Sequence, residues 1–274
     1  MMELAGIEID AISIGGMRTC IQLPRMGLAF DMGCCPQRAV SQRTVLFSHA
    51  HADHMASVAL HCATRDLLGM KPPHYIIPPD NEADFTDLFA VWRRLNHSPM
   101  PCNIHPIGPG DEHHLRHDLI ARPVPAYHRV PAQGYVIYRR KKKLLPEWIG
   151  RDHTEIRDAR RRGEVITAAV DSPEVAFTGD SRVKILDDSP ELYLARLLIM
   201  EVTFIDEKVS VDKSSRQGHI HLDEVIARAD NFQNQAILFT HLSARYSARQ
   251  AEDVLRARLP PRLAERVTLL LPPT

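Results

Sequence analysis

Four side chains that can bind a metal ion lie within six residues of this 274-residue chain: His49, His51, Asp53 and His54. They follow directly after an apolar run at residues 44–47, which is typical of a buried strand. Neutral imidazoles and carboxylates are good ligands for zinc and similar ions. Because a turn that leaves a strand can splay alternate side chains, the first two histidines can reach one ion while Asp53 and His54 reach another. The alternative is a polar loop that happens to be rich in histidine, which this spacing makes improbable.

Three other apolar strands along the chain also end on a residue that can bind a metal. His128, Asp180 and His241 each follow a predicted strand within four residues. One loop offers too few ligands for two ions, so the remaining ligands must come from other strand ends. Taken singly, a histidine or aspartate at a strand end is more often a cap or an ordinary hydrogen-bonded residue. Four strand ends that all carry ligands predict a shared metal centre.

The apolar pattern predicts the elements that must position these side chains. Short strands come first, and strands then alternate with amphipathic helices, which we expect at residues 53–68, 80–95, 222–232 and 247–259. Apolar strands with helices on the outside indicate a layered α/β sandwich. The length allows one large domain or two small ones.

The charge balance of the chain hides an uneven distribution. Lys plus Arg is 34 and Asp plus Glu is 34, so the net charge is zero, which by itself argues against a nucleic-acid binder. Residues 139–163, however, contain ten basic and four acidic residues, a net of +6, so the rest of the chain carries −6. Such a run is either a solvated charged helix and loop or a surface that binds phosphates.

No membrane partner or export is expected from the sequence. No apolar run approaches the roughly 20 residues of a membrane span, and the first residues lack the pattern of a signal peptide. The five cysteines show no CxxC spacing, which favours reduced thiols and a cytoplasmic location.

Two further groups of histidines allow more than one interpretation. His219 and His221 precede a predicted helix, so they are either helix-capping residues or functional groups. His113, His114 and His117 lie beside two acidic residues, a composition like that of a metal site. We expect that segment, residues 111–117, to be a solvated loop.

The ligand pattern resembles that of the metallo-β-lactamase superfamily. Further motifs look like those of the ribonuclease Z family, closest to its short, plant-type form: Glu201-Val202-Thr203, Gly218-His219, residues 30–38, residues 134–138 and residues 240–246. The resemblance covers nearly the whole chain. It implies an αββα sandwich of two mixed β-sheets flanked by helices. It also implies a single domain over residues 1–274, with a basic insert at about residues 139–170.

The resemblance also implies a role for each site residue. Two zinc ions per subunit are expected, although this ligand set also accepts manganese or iron. The metal ligands are His49, His51 and His128 on one ion, Asp53, His54 and His241 on the other, and Asp180 bridging the two. A hydroxide bound between the ions attacks phosphorus, and Asp53 orients it or takes its proton. His219 is the general acid, held by Glu201, whereas His221 is expected to be structural.

The implied activity is removal of the 3′ trailer of precursor tRNA by an endoribonuclease that is commonly a homodimer. The basic insert would grip the RNA through Arg139, Arg140, Lys141, Lys142 and Lys143. Ser243 and Arg245 follow a ligand directly, so they either contact phosphate or pack locally. Two alternatives stay open: a hydrolase of the same fold that acts on a small phosphodiester or thioester, and a non-catalytic RNA-binding relative. The complete ligand series argues against the second.

Overall fold

Two mixed, seven-stranded β-sheets pack face to face in the computed structural model, which describes residues 1–271. In each sheet the strands lie side by side in chain order. The first sheet comprises β1 Met2–Leu4, β2 Ile7–Ile14, β3 Arg18–Leu23, β4 Leu28–Phe30, β5 Thr44–Leu46, β6 His74–Ile77 and β7 Asn103–Pro106. The second comprises β8 His113–Arg116, β9 Leu119–Pro125, β10 Gln133–Leu144, β11 Thr167–Phe177, β12 Leu197–Glu201, β13 Ala236–Thr240 and β14 Val267–Leu269.

Helices cover the outer face of each sheet, so the predicted αββα sandwich is confirmed. The helices are α1 Ala52–Met55, α2 Val58–Leu67, α3 Glu82–Asn96, α4 His153–Arg161, α5 Lys184–Asp188, α6 Glu191–Leu194, α7 Val211–Gln217, α8 Leu222–Ile226, α9 Ala248–Arg258 and α10 Pro261–Ala264. One apolar core lies between the sheets, and one lies under each helical layer. Of these described helices, none has the length and hydropathy needed to cross a membrane.

The direction of the strands decides where the site forms. β1 to β4 are antiparallel and β4 to β7 parallel, and the second sheet repeats this order, antiparallel from β8 to β11 and parallel from β11 to β14. Central strands such as β5 are buried on both faces: Leu46 packs between the sheets and Val45 packs under the helices. The carboxyl ends of the parallel strands therefore gather at one edge of the sandwich, where open α/β sheets bind ligands.

The helix predicted at residues 53–68 is wrong in one respect, because it is two helices. The helix is interrupted between α1 and α2, where the backbone of Met32 forms hydrogen bonds to both sides of the junction. Met32 N donates to the His54 carbonyl at 2.6 Å, and Ser57 N donates to the Met32 carbonyl at 2.9 Å. These contacts with a segment distant in sequence take the place of helical bonds. The helix predicted at residues 222–232 is also shorter and ends at Ile226.

Residues 111–117 are not the solvated loop that their composition indicated. His113 begins β8, and its ring lies 4.6 Å, between centroids, from that of His105 on β7. His105 in turn stacks on His74 of β6, with the nearest ring nitrogens 2.9 Å apart. This histidine stack joins the edge strands of the two sheets, and the segment itself is a strand because its backbone pairs with β9. His114 and His117 point away from the stack and are mostly exposed.

The histidine stack predicts a loss of stability in mild acid. Burial lowers the pKa of all three imidazoles, and lowers that of His113 to about 4. Below the unfolded value of about 6.5, the unfolded chain takes up protons that the folded chain refuses, so stability falls as pH drops from about 6.5 toward 4. We expect Tm to decrease by several degrees over this range and the decrease to be smaller in His113→Gln. An equal decrease in both proteins, measured by calorimetry, would exclude the stack as the cause.

Candidate metal centre and catalytic residues

The carboxyl ends of strands from both sheets bring the predicted ligands together at one edge of the sandwich. His49 and His51 follow β5, and His128 follows β9. The ligand atoms of these three residues lie within 4.8 Å of one another. The same holds for a second group, in which Asp53 and His54 come from α1 and His241 follows β13.

Asp180, after β11, lies between the two groups. It forms a third such set with His49 from the first group and His54 from the second. Its Oδ2 atom is 3.9 Å from the Nε2 atom of His49, 3.4 Å from that of His54 and 3.3 Å from that of His241. A single carboxylate oxygen that reaches imidazoles of both groups has the position of a bridging ligand.

Hydrogen bonds fix four of the five imidazoles with Nε2 toward the centre. His54 Nδ1 donates to Asp31 at 2.7 Å, and His128 Nδ1 donates to the Gly218 carbonyl at 2.9 Å. His49 Nδ1 bonds to the Ser48 hydroxyl at 2.9 Å, and His241 Nδ1 bonds to the Thr203 hydroxyl at 3.0 Å. These hydroxyls must accept, because each donates its own proton to a carboxylate, that of Asp31 or that of Glu201. Each ring therefore presents an Nε2 lone pair to the centre, the arrangement that metal sites require.

The donor atoms of the two groups converge at short distances. His54 Nε2 and His241 Nε2 are 3.3 Å apart, and His51 Nδ1 lies 3.0 Å from His49 Nε2 and 3.2 Å from His128 Nε2. Nitrogen and carboxylate donors converging at this spacing suit zinc and the other borderline divalent ions. The residues present therefore fit a pair of such ions.

The electrostatics of the centre also favour cations. Burial lowers the pKa of His49, His51 and His128, so these imidazoles are neutral and able to bind metal. Burial alone would raise the pKa of Asp180, but the surrounding imidazoles, His241 foremost, hold it well below its usual range. Asp180 is therefore a carboxylate although it is only 3% exposed.

Two glycines let the backbone approach the centre more closely than any other residue could. Gly179 has φ +58° and Gly218 has φ +86°, both in the left-handed region. A Cβ on Gly179 would lie 2.5 Å from the side chain of Ser48, and a Cβ on Gly218 would lie 2.5 Å from His128 Nδ1. Either contact would displace a ligand or its hydrogen-bond partner.

Glu201 and His219 form a buried pair beside the ligands. His219 Nδ1 donates to Glu201 Oε1 at 3.0 Å, and its ring stacks on that of His241. Burial alone would lower the pKa of His219, but the Glu201 carboxylate raises it to about 9. His219 is thus held protonated at neutral pH, as a proton donor must be. His221, by contrast, caps α8: its Nδ1 accepts from Asp223 N at 3.1 Å and its Nε2 donates to the Asp206 carbonyl.

A cleft of about 300 Å³ lies over this centre, and the two weak substrate candidates flank it. Ser243 lines the cleft and accepts a hydrogen bond of 3.0 Å from Arg245 Nε. The Arg245 guanidinium lies over the ring of Phe204, 5.1 Å from its centroid. Arg129, which sequence reasoning missed, is an exposed cation on the cleft wall. Its position directly after the ligand His128 was the available signal.

The five basic residues of the predicted insert fall into two groups. Arg139 pairs with Asp118 and Glu174, whereas Arg140 pairs with Asp171 and Glu112. These two side chains are about three-quarters buried at the base of the extended β10–β11 hairpin. Lys141, Lys142 and Lys143 are exposed along β10, and they form no ion pair within the part of the chain that the structure describes.

Sequence reasoning also passed over the residues that hold the ligands. Asp31 is fully buried, accepts from His54 Nδ1 and from the Ser48 hydroxyl, and so orients one histidine of each ligand group. It directly follows β4, so the rule that found the metal ligands, a polar residue at the end of an apolar strand, applied to it as well. Thr203, which bonds to both Glu201 and His241, follows β12 by two residues and belongs to the Glu201-Val202-Thr203 motif, so it carried the same signal.

Comparison with known proteins places this geometry in a family. The family model for the beta-lactamase superfamily domain matches residues 34–242. tRNase Z TRZ1 of Arabidopsis thaliana is 41% identical over 98% of this chain and 96% of its own length. The chloroplastic tRNase Z TRZ2 of the same plant is 33% identical over 93% of this chain and 72% of its own. The crystal structure of the short form of human tRNase Z has a TM-score of 0.63 at 17% identity, covering 96% of both chains, and so shares the fold.

The family model matches most of the chain, and the two plant relatives are more than 30% identical over more than nine-tenths of it. The chain therefore belongs to the ribonuclease Z (tRNase Z) family of the β-lactamase superfamily.

Proposed function

We propose that this protein is an endoribonuclease that removes the 3′ trailer of precursor tRNA with the help of two zinc ions. The observation that carries the proposal is the convergence of seven donor side chains at the sheet edge, with the Glu201–His219 pair directly beside them. Relatives that cover nearly the whole chain are named tRNase Z, which supports the substrate. Zinc is favoured because the donors are a mixture of imidazole nitrogens and carboxylate oxygens.

The grouping of the donor side chains supports one set of residues for each zinc ion. His49, His51 and His128 would hold one ion, Asp53, His54 and His241 would hold the other, and Asp180 would contribute to both. When bound, the ions supply an activated water and neutralise the charge on the phosphoryl oxygens.

The side chains around the centre handle the protons of the hydrolysis. The Asp53 carboxylate, whose Oδ2 accepts from Gly16 N at 3.0 Å, orients the attacking water and takes its proton. As the bond between phosphorus and the ribose 3′ oxygen breaks, His219 gives its proton to that oxygen. Glu201 keeps the imidazole charged and oriented, and it is itself held by Thr203 N and Ile220 N at 3.1 and 3.2 Å. The products are a 3′-hydroxyl on the tRNA and a 5′-phosphate on the trailer.

The RNA substrate is supported by the hairpin that β10 and β11 form beyond the second sheet. We treat the chain as one domain and residues 139–170 as its RNA-binding arm. Within the arm, the exposed Lys141, Lys142 and Lys143 can neutralise phosphates without reading sequence. Arg139 and Arg140, being paired with acids, anchor the base of the hairpin.

Removing the arm should separate RNA cleavage from phosphodiester chemistry. Arg140 and Asp171 face each other across the two strands, so Lys141–Val170 can be replaced by an Asn-Gly turn that closes the hairpin. We expect kcat/KM for precursor tRNA to fall at least about tenfold and its salt dependence to weaken. Hydrolysis of bis(4-nitrophenyl) phosphate should stay near the wild-type rate.

A charge variant tests the same point without a deletion. Lys141→Ala, Lys142→Ala and Lys143→Ala combined should reduce the salt slope of RNA binding by about 3. The matched control is Arg249→Ala with Arg256→Ala, two exposed arginines of α9 outside the arm. Equal loss of RNA and small-diester hydrolysis in the arm variants would contradict the assignment.

We further propose that the protein is a homodimer in which one subunit's arm holds RNA for the other's site. β10 starts at the metal edge, where Gln133 N bonds to the Ser48 carbonyl, and its twelve residues extend about 36 Å to Leu144 at the far end. The arm therefore points away from its own metal centre. An exposed apolar surface is also available for a second copy: Leu60, Leu67 and Leu68 on and after α2, with Leu88, Val91, Trp92 and Leu95 along α3.

Breaking this apolar surface should yield monomers. Leu67 and Leu95 are 85% and 67% exposed, so glutamates there should not disturb the core. We expect wild-type protein to show twice the 31.0 kDa chain mass by light scattering, and Leu67→Glu with Leu95→Glu to show the single mass and weaker tRNA cleavage. Leu194→Glu, at an exposed leucine on α6, is the control and should stay dimeric. A wild-type monomer would contradict the proposal.

The proposed location is cytoplasmic. The five cysteines are all free thiols, as expected in a reducing compartment.

A further inference from the structure

A second, smaller cavity adjoins the catalytic cleft and has no part in the chemistry described above. Its volume is about 180 Å³, and Ser243 lines both it and the cleft. Its walls are mostly apolar and come from two segments: Ile14 and Met17 on one side, and Leu242, Ala244 and Tyr246 on the other. Neither segment carries one of the seven proposed metal ligands, although the second directly follows His241.

The two walls are tied together, so the cavity is formed before any substrate arrives. Gly15 N donates to the Leu242 carbonyl at 3.0 Å, and His241 N donates to the Ser13 hydroxyl at 3.0 Å. The Tyr246 hydroxyl donates to Asp206 at 2.9 Å. The polar atoms of the walls are thus engaged elsewhere, and the surface left for a ligand is apolar and aromatic.

The size and position of the cavity define its occupant. A cavity of about 150 Å³ accepts benzene, so 180 Å³ accepts one flat ring system and not a whole nucleotide. Met17 is 60% exposed at its mouth and offers a soft, polarizable contact for an aromatic ring. Arg245 is bonded to Ser243, which lines both the cavity and the cleft, and can hold a neighbouring phosphate.

We infer that this cavity binds the nucleobase of a nucleotide directly flanking the scissile phosphate. The inference rests on the proposed ribonuclease function and adds a second contact to it. The arm binds the phosphate backbone of the RNA far from the cleavage site, whereas this cavity positions the phosphodiester bond that is cleaved. A base held here places its own phosphodiester over the metal centre, which is how binding at a distance accelerates the chemical step.

Abasic substrates test the inference. Precursor tRNAs are prepared with an abasic ribose on either side of the scissile phosphate, and kcat/KM is compared with that of the intact RNA. We expect the wild-type protein to prefer the intact RNA about tenfold or more at one of the two positions. Ala244→Leu, which fills the cavity, and Met17→Ser, which removes its apolar mouth, should bring this ratio close to one. Ala257→Leu, on an exposed face of α9, should keep the wild-type ratio.

Two results would overturn the inference. The first is a wild-type protein that cuts intact and abasic RNAs equally well. The second is a pair of cavity variants that retain the full preference. A wild-type protein that cuts no RNA at all would instead contradict the proposed function, and this inference would fall with it.

Discussion

His51→Ala is expected to abolish hydrolysis of every phosphodiester, large or small. The His51 ring is only half-buried and makes no capping hydrogen bond to α1, so its loss leaves no large cavity in the core and removes no helix cap. Its Nδ1 atom, however, is the donor within 3.2 Å of both His49 and His128. Without it, the first ion keeps two imidazoles and the shared carboxylate. Loss of an ion that contributes several kcal/mol to the transition state corresponds to a decrease in kcat of about 10³-fold or more.

Metal content distinguishes this effect from misfolding. Elemental analysis should give two zinc ions per wild-type subunit and fewer in His51→Ala, while Tm measured without metal stays close to the wild-type value. His117→Ala is the matched control, because that imidazole is 91% exposed and distant from the centre. Retained hydrolysis in His51→Ala, or the same metal content as wild type, would show that this histidine is not a ligand.

His219→Ala is expected to lower kcat for RNA by about 10²- to 10⁴-fold, the usual contribution of a general acid. The ribose 3′ oxygen is a poor leaving group unless it is protonated, and His219 lies beside the proposed ligands with a pKa that the Glu201 carboxylate raises to about 9. A 4-nitrophenolate leaving group needs no proton. The same variant should therefore hydrolyse bis(4-nitrophenyl) phosphate far better, relative to wild type, than it cleaves RNA.

Two outcomes would remove the acid role of His219. Loss of zinc from His219→Ala would indicate that the residue is a metal ligand. This outcome is worth testing because His219 Nδ1 lies 3.9 Å from Asp180 Oδ2. Equal losses on RNA and on the nitrophenyl ester would show that it does not protonate the leaving group. His221→Ala is not a suitable control, because that side chain caps α8 and its loss would unsettle the same loop.

Residues with a strong local signal were predictable from the sequence, whereas those defined by distant contacts were not. The proposed ligands stand just after apolar strands, and the structure brings these strand ends together at one edge, so local pattern was enough to name the residues that converge there. The junction between α1 and α2 depends on Met32, about twenty residues earlier, which no helical periodicity could reveal. The strand at His113 depends on pairing with β9, and the His113 ring contacts that of His105 across the edges of two different sheets.

The roles of the charged residues were also only partly predictable from the sequence. The run at residues 139–143 was visible in the sequence, and a resemblance gave it a role. The pairing of Arg140 with Asp171 depends on strand register, so only the folded hairpin separates the anchoring arginines from the exposed lysines that follow them. The exposed apolar face of α2 and α3 was likewise hidden, because leucines at helical spacing predict a buried face.

The most direct test of the account is incubation of the zinc-loaded protein with a precursor tRNA that carries a 3′ trailer. The account predicts one cut near the discriminator base, with a 3′-hydroxyl on the tRNA and a 5′-phosphate on the trailer, and no cut by His51→Ala. Intact precursor tRNA, together with rapid hydrolysis of a small phosphodiester by the same preparation, would contradict it and identify a small-molecule phosphodiesterase instead.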